Sequence, residues 1–487
     1  MKRYVPLFAL ALCGCAVGPD FHAPAAPDAQ SYTRETLPAA TQAAGAAQTL
    51  VAASHALPMW WTQFQSEALN RLVDTAMQHS PTLDEARAKL VEARENYIAQ
   101  AGATEFPAID AKLSGTRQKV DPAAFGIPNV PNTGPFTLFN ASVSVSYVLD
   151  VFGGNRRALE ALLAQADYQT YELDAARLTL AGNVVSAAIR RASFQQQLAL
   201  TRQLADAQAR QLTIVEGRYA AGGVAQLDVH TQRTLLAQTR AQIPPLATQL
   251  AQANHQLAIL LGVAPSRADF DDITLDALHL PDTVPVTLPS TLARERPDIR
   301  ASEALLHQAS ANVGVATANL YPQFVVSAGF GSERTRIEDV VNGLNVWNIG
   351  LNLTQPIFHG GELHAKKRAA QAAYDAAFAS YRQTVLLALQ QVADTLHALN
   401  DDAHALQARD EANAEAQASV KIAQAQYAAG GVSQFGLIDM QRQALQTALD
   451  RTRAQADRLA DTAALFQALG GVTPAESADQ TAQREAQ

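Results

Sequence analysis

Apolar and polar side chains alternate strictly in the clearest segment of this chain, which begins at Phe139 and ends at Val151. Its apolar positions lie two residues apart, and the positions between them are nearly all Ser, Asn or Asp. Successive side chains of a β-strand point to opposite faces, so this pattern predicts a strand whose two faces meet different environments. The segment also has the roughly 9–11 residues that a tilted strand needs to cross a membrane.

This strand is one of four that the alternation predicts. They occupy about 108–120 and 137–151 in the first half of the chain, and about 323–333 and 345–357 in the second. A soluble antiparallel sheet with one buried face is the alternative. That alternative leaves unexplained why Ser and Asn occupy one face of the two clearest strands, at about 137–151 and 345–357.

Each strand pair precedes a long stretch without proline, and we predict helices over 155–218 and 362–429. At ~1.5 Å per residue, each helix would form a rod of about 95–100 Å, which is too long to pack within one globule. Apolar residues recur every seven positions along the first helix, which indicates coiled-coil packing against other helices.

The chain also repeats itself. Tyr219–Gln226 returns as Tyr427–Gln434 with seven of eight residues identical, at an offset of 208 positions (427 minus 219). Similarity of this kind indicates that one structural unit occurs twice. We therefore predict two repeats, over 58–285 and 286–470, produced by an internal duplication.

Both long helices end at a pair of glycines: Gly222, Gly223, Gly430 and Gly431. Glycine supplies the left-handed dihedral angles that often follow a helix C-terminus, so a turn is predicted at each pair. Return helices follow over 226–261 and 434–469. Pro244 and Pro245 predict a kink or break in the first return helix.

The first residues are typical of a secreted lipoprotein. Lys2 and Arg3 precede a short apolar run, which predicts a signal peptide over 1–14. The run ends at Cys15 in the manner of a bacterial lipobox, so we predict that lipid is attached to Cys15. Ala16 favours an outer-membrane address. An ordinary signal-peptidase site with a free thiol is the alternative.

The two ends of the mature chain are predicted to carry little structure. Residues 15–57 are rich in Ala, Pro, Thr and Gln, and we predict that they form an extended lipidated tether. Residues 471–487 are predicted to be a disordered C-terminal tail.

Composition and charge exclude several classes of protein. The net charge is −9, and loss of two basic residues with the signal peptide leaves 35 minus 46, or −11, which argues against nucleic acid as a partner. Cys13 and Cys15 are the only cysteines, and the 11 histidines show no metal-ligand spacing. No catalytic or phosphate-binding motif is present. We expect no enzyme activity, no metal and no cofactor other than the lipid on Cys15.

Past the signal peptide, no apolar run reaches the roughly 18 residues of a transmembrane helix. Any segment that crosses a membrane must therefore be a β-strand. Four strands cannot close a barrel, and open sheet edges are not tolerated in lipid. Several copies of the chain must then contribute to one barrel. Three copies would supply twelve strands, although the periodicity alone also allows two or four.

Several motifs connect the chain to a known family. They are the lipidated start Cys15–Phe21, the Arg-Pro-Asp-Ile-Arg signature within Arg294–Arg300 and its following Glu303, and the strand entry and exit Asn319–Pro322 and Leu353–Phe358. The sequence resembles the outer-membrane factors of bacterial tripartite efflux pumps, in the OprM/NodT lipoprotein branch of the TolC-like superfamily. The likeness covers essentially the whole mature chain.

The resemblance implies an α+β membrane protein that forms a homotrimer. Four strands per chain would build a 12-stranded outer-membrane β-barrel in contact with outer-membrane lipid, continued by a long periplasmic α-helical barrel. A periplasmic adaptor protein and an inner-membrane efflux pump would dock to it. Small-molecule substrates would pass through the tube without any bond being made or broken.

The resemblance also places candidate functional residues. The family's periplasmic gate maps onto the start of the last return helix, where Asp439 would supply an acidic ring, Phe435 an apolar ring, and Arg442 shares their helix face. Three carboxylates around an axis would favour cations and resist tight closure. The alternative is that Asp439 faces solvent near a helix N-terminus. The four turn glycines are candidate contacts for the adaptor, or are structural only.

The leading functional hypothesis is a passive export duct for drugs or other small toxic compounds. A type I secretion duct for a polypeptide is disfavoured by the lipobox and by the Arg-Pro-Asp-Ile-Arg signature. A structural periplasmic lipoprotein is disfavoured by the four alternating strands.

Overall fold

The computed structural model describes residues 16–35, 38–41, 47–119 and 134–471. The predicted signal peptide and Cys15 lie outside these residues, as does the predicted tail except for Gly471. In the described ranges, no helix combines the length and apolar character that crossing a membrane requires.

The described residues form eight α-helices and six β-strands. The helices are α1 Glu67–His79, α2 Pro81–Glu105, α3 Gly154–Ala220, α4 Gln226–Leu260, α5 Pro289–Glu295, α6 Pro297–Ala318, α7 Glu362–Ala428 and α8 Gln434–Ala468. The strands are β1 Thr49–Ala53, β2 Ala108–Gln118, β3 Phe136–Leu149, β4 Thr283–Thr287, β5 Gln323–Arg334 and β6 Val346–Thr354. The long helices α3 and α7 each contain 67 residues, and their ends lie within two residues of the predicted ones.

Four strands form one antiparallel sheet in the order β2-β3-β5-β6. Ile109, Val145, Ala328 and Ile349 lie opposite one another across it, which places the apolar positions of all four strands on one face. That face is open: Trp347 is 79% exposed and Ile349 is 73% exposed. The contrast between two faces that the alternation predicts is therefore present in the sheet.

The chain divides into two compact units that differ from the two sequence repeats. The strand unit contains the described residues up to Pro24, together with Lys89–Gln169 and Ser302–Tyr381. The helix unit contains Ala25–Ala88, Thr170–Ala301 and the described residues from Arg382 onward. Each unit therefore combines segments from both repeats, because the strands of one repeat pair with strands of the other.

The predicted tether is wrong in part, since it includes a strand in the helix unit. β1 pairs in parallel with β4, from Thr49 opposite Thr283 to Ala53 opposite Thr287. Just before β1, Gln48 is fully buried. The local composition could not reveal this strand, because its partner lies 234 positions later in the chain (283 minus 49).

The start of the predicted tether is also fixed, in the strand unit. We call residues 16–21 the N-terminal strap. The backbone N–H of Val17 donates to the carbonyl of Phe152 at 3.0 Å. The carboxylate of Asp20 lies 2.6 Å from the buried guanidinium of Arg157. These contacts hold the strap at the junction between β3 and α3.

Glycines allow the strap to lie against this junction. Gly18 has a φ of +101°, and a Cβ there would lie 2.5 Å from the Cα of Gly314. A Cβ on Gly153 would lie 2.7 Å from the Cα of Ala16. Any side chain at these glycines would push the two backbones apart, so the close approach depends on them.

Of the kink or break predicted at Pro244 and Pro245, the break is wrong, while the kink stays a prediction. The helix α4 continues through both prolines from Gln226 to Leu260. The prolines and the residues four positions earlier, Arg240 and Ala241, are exposed. Water can therefore bond to the carbonyls that lose their helical partners, which lowers the cost of the prolines.

Candidate functional site

The turn between α3 and α4 is a Schellman motif. Gly222 has a φ of +73°, and its N–H donates to the carbonyl of Tyr219 at 2.9 Å. The N–H of Gly223 donates to the carbonyl of Arg218 at 2.8 Å. These two bonds satisfy carbonyl groups that the end of a helix leaves without partners.

The turn between α7 and α8 repeats this geometry. Gly430 has a φ of +78°, and its N–H donates to the carbonyl of Tyr427 at 3.1 Å. The N–H of Gly431 donates to the carbonyl of Gln426 at 2.8 Å. A Cβ on Gly430 would meet nothing within 4 Å. Glycine is therefore required there for its dihedral angle and not for space.

The two turns lie side by side in the helix unit. The guanidinium of Arg218 lies over the ring of Tyr427, 5.1 Å from its centroid. The side-chain amide of Gln434 donates to the side-chain oxygen of Gln232 at 2.9 Å, and both glutamines are buried. Residues 218–227 and 427–435 thus form one surface, which we call the tip surface.

The candidate gate residues lie at the start of α8, where Phe435 is the last residue of the tip surface. The hydroxyl of Ser433 caps the helix by accepting from the N–H of Gly436 at 3.2 Å. Asp439 lies beyond the first turn of the helix, where the helix dipole adds little. Its partner is Arg442, whose guanidinium donates to its carboxylate at 2.8 Å. Both side chains are solvent-accessible, so the pair contributes about 1 kcal/mol at most.

Phe435 lies on the open side of α8 and is 71% exposed. On the opposite side of the helix, Leu437 is buried. The structure therefore brings Asp439 and Arg442 into contact and leaves the side chain of Phe435 uncovered.

One exposed residue of the tip surface was missed by the sequence reasoning. Leu227 is 73% exposed and lies 208 positions before Phe435 (435 minus 227). The repeat offset was the signal that could have found it. Each turn is thus followed by a large apolar side chain that the chain itself leaves uncovered.

A pair of carboxyl groups connects α7 and α8 away from the tip surface. Burial, a hydrogen bond to Asp461 and the charges of Asp457 and Asp401 raise the pKa of Asp402 to about 7. In the folded chain, the carboxyl group of Asp402 therefore keeps its proton to a higher pH than an ordinary aspartate does. No local pattern reveals this pair, because 59 positions separate its members (461 minus 402).

The last candidate, Cys15, lies outside the described residues. The first described residue, Ala16, packs against Gly153 at the β3–α3 junction. Among the residues whose positions are described, no group of His, Cys, Asp or Glu side chains is arranged to hold a metal ion.

Comparison with known proteins identifies the family. The model of the family described as outer membrane efflux protein matches residues 72–263 and 288–471. There is one match in each half of the chain, as the duplication predicts. The described fold also resembles the solved outer-membrane channel OprN, with a TM-score of 0.82 and 27% identity, over 94% of this chain and 99% of that one.

Named relatives agree with this match over most of their length. The pyoverdine export outer membrane protein OpmQ of Pseudomonas putida is 30% identical over 429 residues, which cover 87% of this chain and 90% of OpmQ. The toluene efflux pump outer membrane protein TtgI of Pseudomonas putida is 29% identical, over 96% of this chain and 98% of TtgI. The chain belongs to the outer membrane efflux protein family and, within it, to the OprM/NodT type.

Proposed function

We propose that this protein is the outer-membrane channel of a tripartite efflux system, through which small toxic compounds leave the cell passively. One observation carries the proposal. The sheet has an open apolar face, and its strands β3 and β6 lead within a few residues into the 67-residue helices α3 and α7. A membrane-spanning sheet that continues into long helices is suited to form a tube.

The tube would be assembled from three copies of the chain. The edge strands β2 and β6 each have a single strand partner among the described residues. A free edge is costly in lipid, since its N–H and C=O groups have no water to bond. Three copies would close twelve strands into a barrel, and their long helices would continue it as a periplasmic α-helical barrel.

The tip surface is the proposed docking site for a periplasmic adaptor protein, which connects the channel to an inner-membrane pump. Its turns, with Gly222, Gly223, Gly430 and Gly431, present backbone in a fixed geometry. Its exposed Leu227 offers apolar surface beside them. Exposed apolar side chains in a cluster are typical of interaction sites.

Asp439, Phe435 and Arg442 are proposed to form the periplasmic gate. In a symmetric trimer, each would be present three times around the axis. The ion pair between Asp439 and Arg442 would offset the mutual repulsion of the three carboxylates. The gate would thus combine an apolar ring with a ring of nearly balanced charge.

Lipid on Cys15 is proposed to anchor each copy in the outer membrane. The strap supports this placement, because Val17 is bonded to Phe152 where β3 ends. An acyl chain attached just before the strap would start close to the sheet. Lipid chains would then add to the anchoring that the strands provide.

The substrates are proposed to be small molecules, as the names of OpmQ and TtgI state for those proteins. A strain that lacks this chain should become more sensitive to a panel of toxic compounds, and the intact gene should restore resistance. Unchanged sensitivity, together with loss of a secreted polypeptide, would favour a type I secretion duct instead.

A further inference from the structure

The duplication provides an internal example of how two copies of the chain can join. β3 of the first repeat pairs with β5 of the second, and this ladder places Val145 opposite Ala328. Just beyond the ladder, Phe152 stacks on Tyr321 with ring centroids 4.8 Å apart. The joint thus consists of an antiparallel ladder closed at one end by an aromatic pair.

Each part of this joint has a counterpart at a free edge of the sheet. Phe152 corresponds to Phe358 at an offset of 206 (358 minus 152), and each is followed by a glycine pair, Gly153–Gly154 and, one residue later because of His359, Gly360–Gly361. Tyr321 before Pro322 corresponds to Phe106 before Pro107, at an offset of 215 (321 minus 106). The counterpart of β3 is therefore β6, and the counterpart of β5 is β2.

The counterparts are uncovered in the single chain. Phe358 is 86% exposed and Phe106 is 66% exposed. A Cβ on Gly153 would collide with the strap, whereas a Cβ on Gly360 would meet nothing within 4 Å. The junction between β6 and α7 thus carries the same phenylalanine and glycine pair as the junction between β3 and α3, but leaves them exposed.

We propose that β6 of one copy pairs with β2 of the next in the register of the β3–β5 joint, and that Phe358 stacks on Phe106 of the partner subunit. This proposal rests on the proposed channel and adds the residue-level interface. Applying the two offsets turns the observed pair Val145–Ala328 into the intersubunit pair Leu351–Leu113. Because β2 and β6 run in opposite directions within the sheet, the new pair is also antiparallel.

The chemistry of the other pairs agrees with this register. The apolar Leu353 falls opposite Ala111, while on the other face Asn352 falls opposite Lys112. A slip by one residue would place apolar side chains on the polar face. A slip by two residues would preserve the faces but separate the two phenylalanines by about 7 Å along the strands. The aromatic pair therefore selects one register among those that the faces allow.

Cysteine cross-linking of the assembled full-length protein tests this register, because the chain has only Cys13 and Cys15 of its own. Residues directly opposite in antiparallel strands have Cα atoms about 4.5–5.5 Å apart, within reach of a disulfide. Mild oxidation of the double variant Leu351→Cys, Leu113→Cys should link the chains covalently into a closed ring. The matched control Leu353→Cys, Leu113→Cys lies two residues out of register and should link at least tenfold less.

Two results would overturn the proposal. One is preferential linking of the control pair. The other is no link between copies with either pair, while the intrachain pair Val145→Cys, Ala328→Cys forms its disulfide under the same conditions. Conductance of the unmodified protein shows whether a failed cross-link rejects only the proposed register or the proposed channel as well. If the protein conducts, a failed cross-link rejects only the register; if it stays monomeric and does not conduct, the proposed channel fails as well.

Discussion

At the scale of residues, the proposed gate lies where the two repeats differ. Thr231 stands 208 positions before Asp439 (439 minus 231), and its hydroxyl donates to the carbonyl of Leu227 within its own helix. Only the second repeat therefore carries an acid at this position. Arg442 balances that acid in the same chain, so removal of either residue changes the local charge.

Replacement of Asp439 should therefore alter ion passage. Asp439→Ala leaves Arg442 without its partner, which should raise single-channel conductance and shift selectivity from cations toward anions. Recordings in planar bilayers with a salt gradient measure both quantities. Thr231→Ala, at the matching position of the first repeat, should leave them unchanged. Unchanged conductance and selectivity in Asp439→Ala would exclude Asp439 from the gate.

The strap depends on one buried cation. Arg157 pairs with Asp20 at 2.6 Å and with Glu160 at 2.7 Å. Arg157→Ala should release the strap, so protease should cut between residues 16 and 24 severalfold faster than in the wild type. Arg190→Ala, an exposed substitution in α3, serves as the control. Equal cleavage rates in all three proteins would mean that the ion pair does not hold the strap.

At the scale of elements, the sequence predicted the structure where the pattern is local. The alternation predicted β3 and β6, and the absence of proline together with the glycine pairs predicted α3 and α7 and their turns. Sequence-based prediction failed where the stabilising partner is distant in the chain. The strand β1 is stabilised by β4, and the strap is held by Arg157. No local pattern reveals either partner. The sequence places the candidate gate residues on one helix face, but only the structure shows the ion pair between Asp439 and Arg442.

The turns should depend on glycine at one position of each pair. Gly430→Ala places a side chain at a φ of +78° and should destabilise the protein by about 1–2 kcal/mol. Gly431→Ala is the matched control, since a Cβ there makes only an ordinary contact at 3.5 Å with the carbonyl oxygen of Gln426. Chemical denaturation measures both variants. A cost of Gly431→Ala equal to that of Gly430→Ala would contradict this account of the turn.

The raised pKa of Asp402 makes stability depend on pH. The pKa of Asp402 is about 7 in the folded chain and has an ordinary value of 3.8, so the folded state binds the additional proton between these values. The contribution of this pair to stability should therefore fall as pH rises from about 4 to about 7, and level off above.

The variant Asp402→Asn tests this dependence, because an amide stays uncharged at every pH. Its melting temperature should exceed that of the wild type at pH 8, and the difference should shrink at pH 5. Asp375→Asn, which replaces an exposed acid elsewhere in α7, should show no such pattern. If the melting temperatures of the wild type and of Asp402→Asn changed by the same amount between pH 5 and pH 8, the raised pKa of Asp402 would be refuted.

At the scale of the whole molecule, the duplication explains why the repeats and the compact units differ. Each repeat contributes one hairpin to a single sheet, and the two hairpins meet where β3 pairs with β5, so neither repeat forms the four-stranded sheet alone. The same order leaves one strand of each repeat at an edge. In the proposed channel, further copies of the chain would pair with these edges, and membrane lipid would cover the open apolar face.

Single-channel recording of the purified, full-length protein in planar lipid bilayers tests the central claim most directly. The account predicts discrete, reproducible conductance steps from an oligomer that dissociates on heating in detergent. A protein that remains monomeric in detergent and in lipid, and that produces no conductance steps at any voltage, would contradict it.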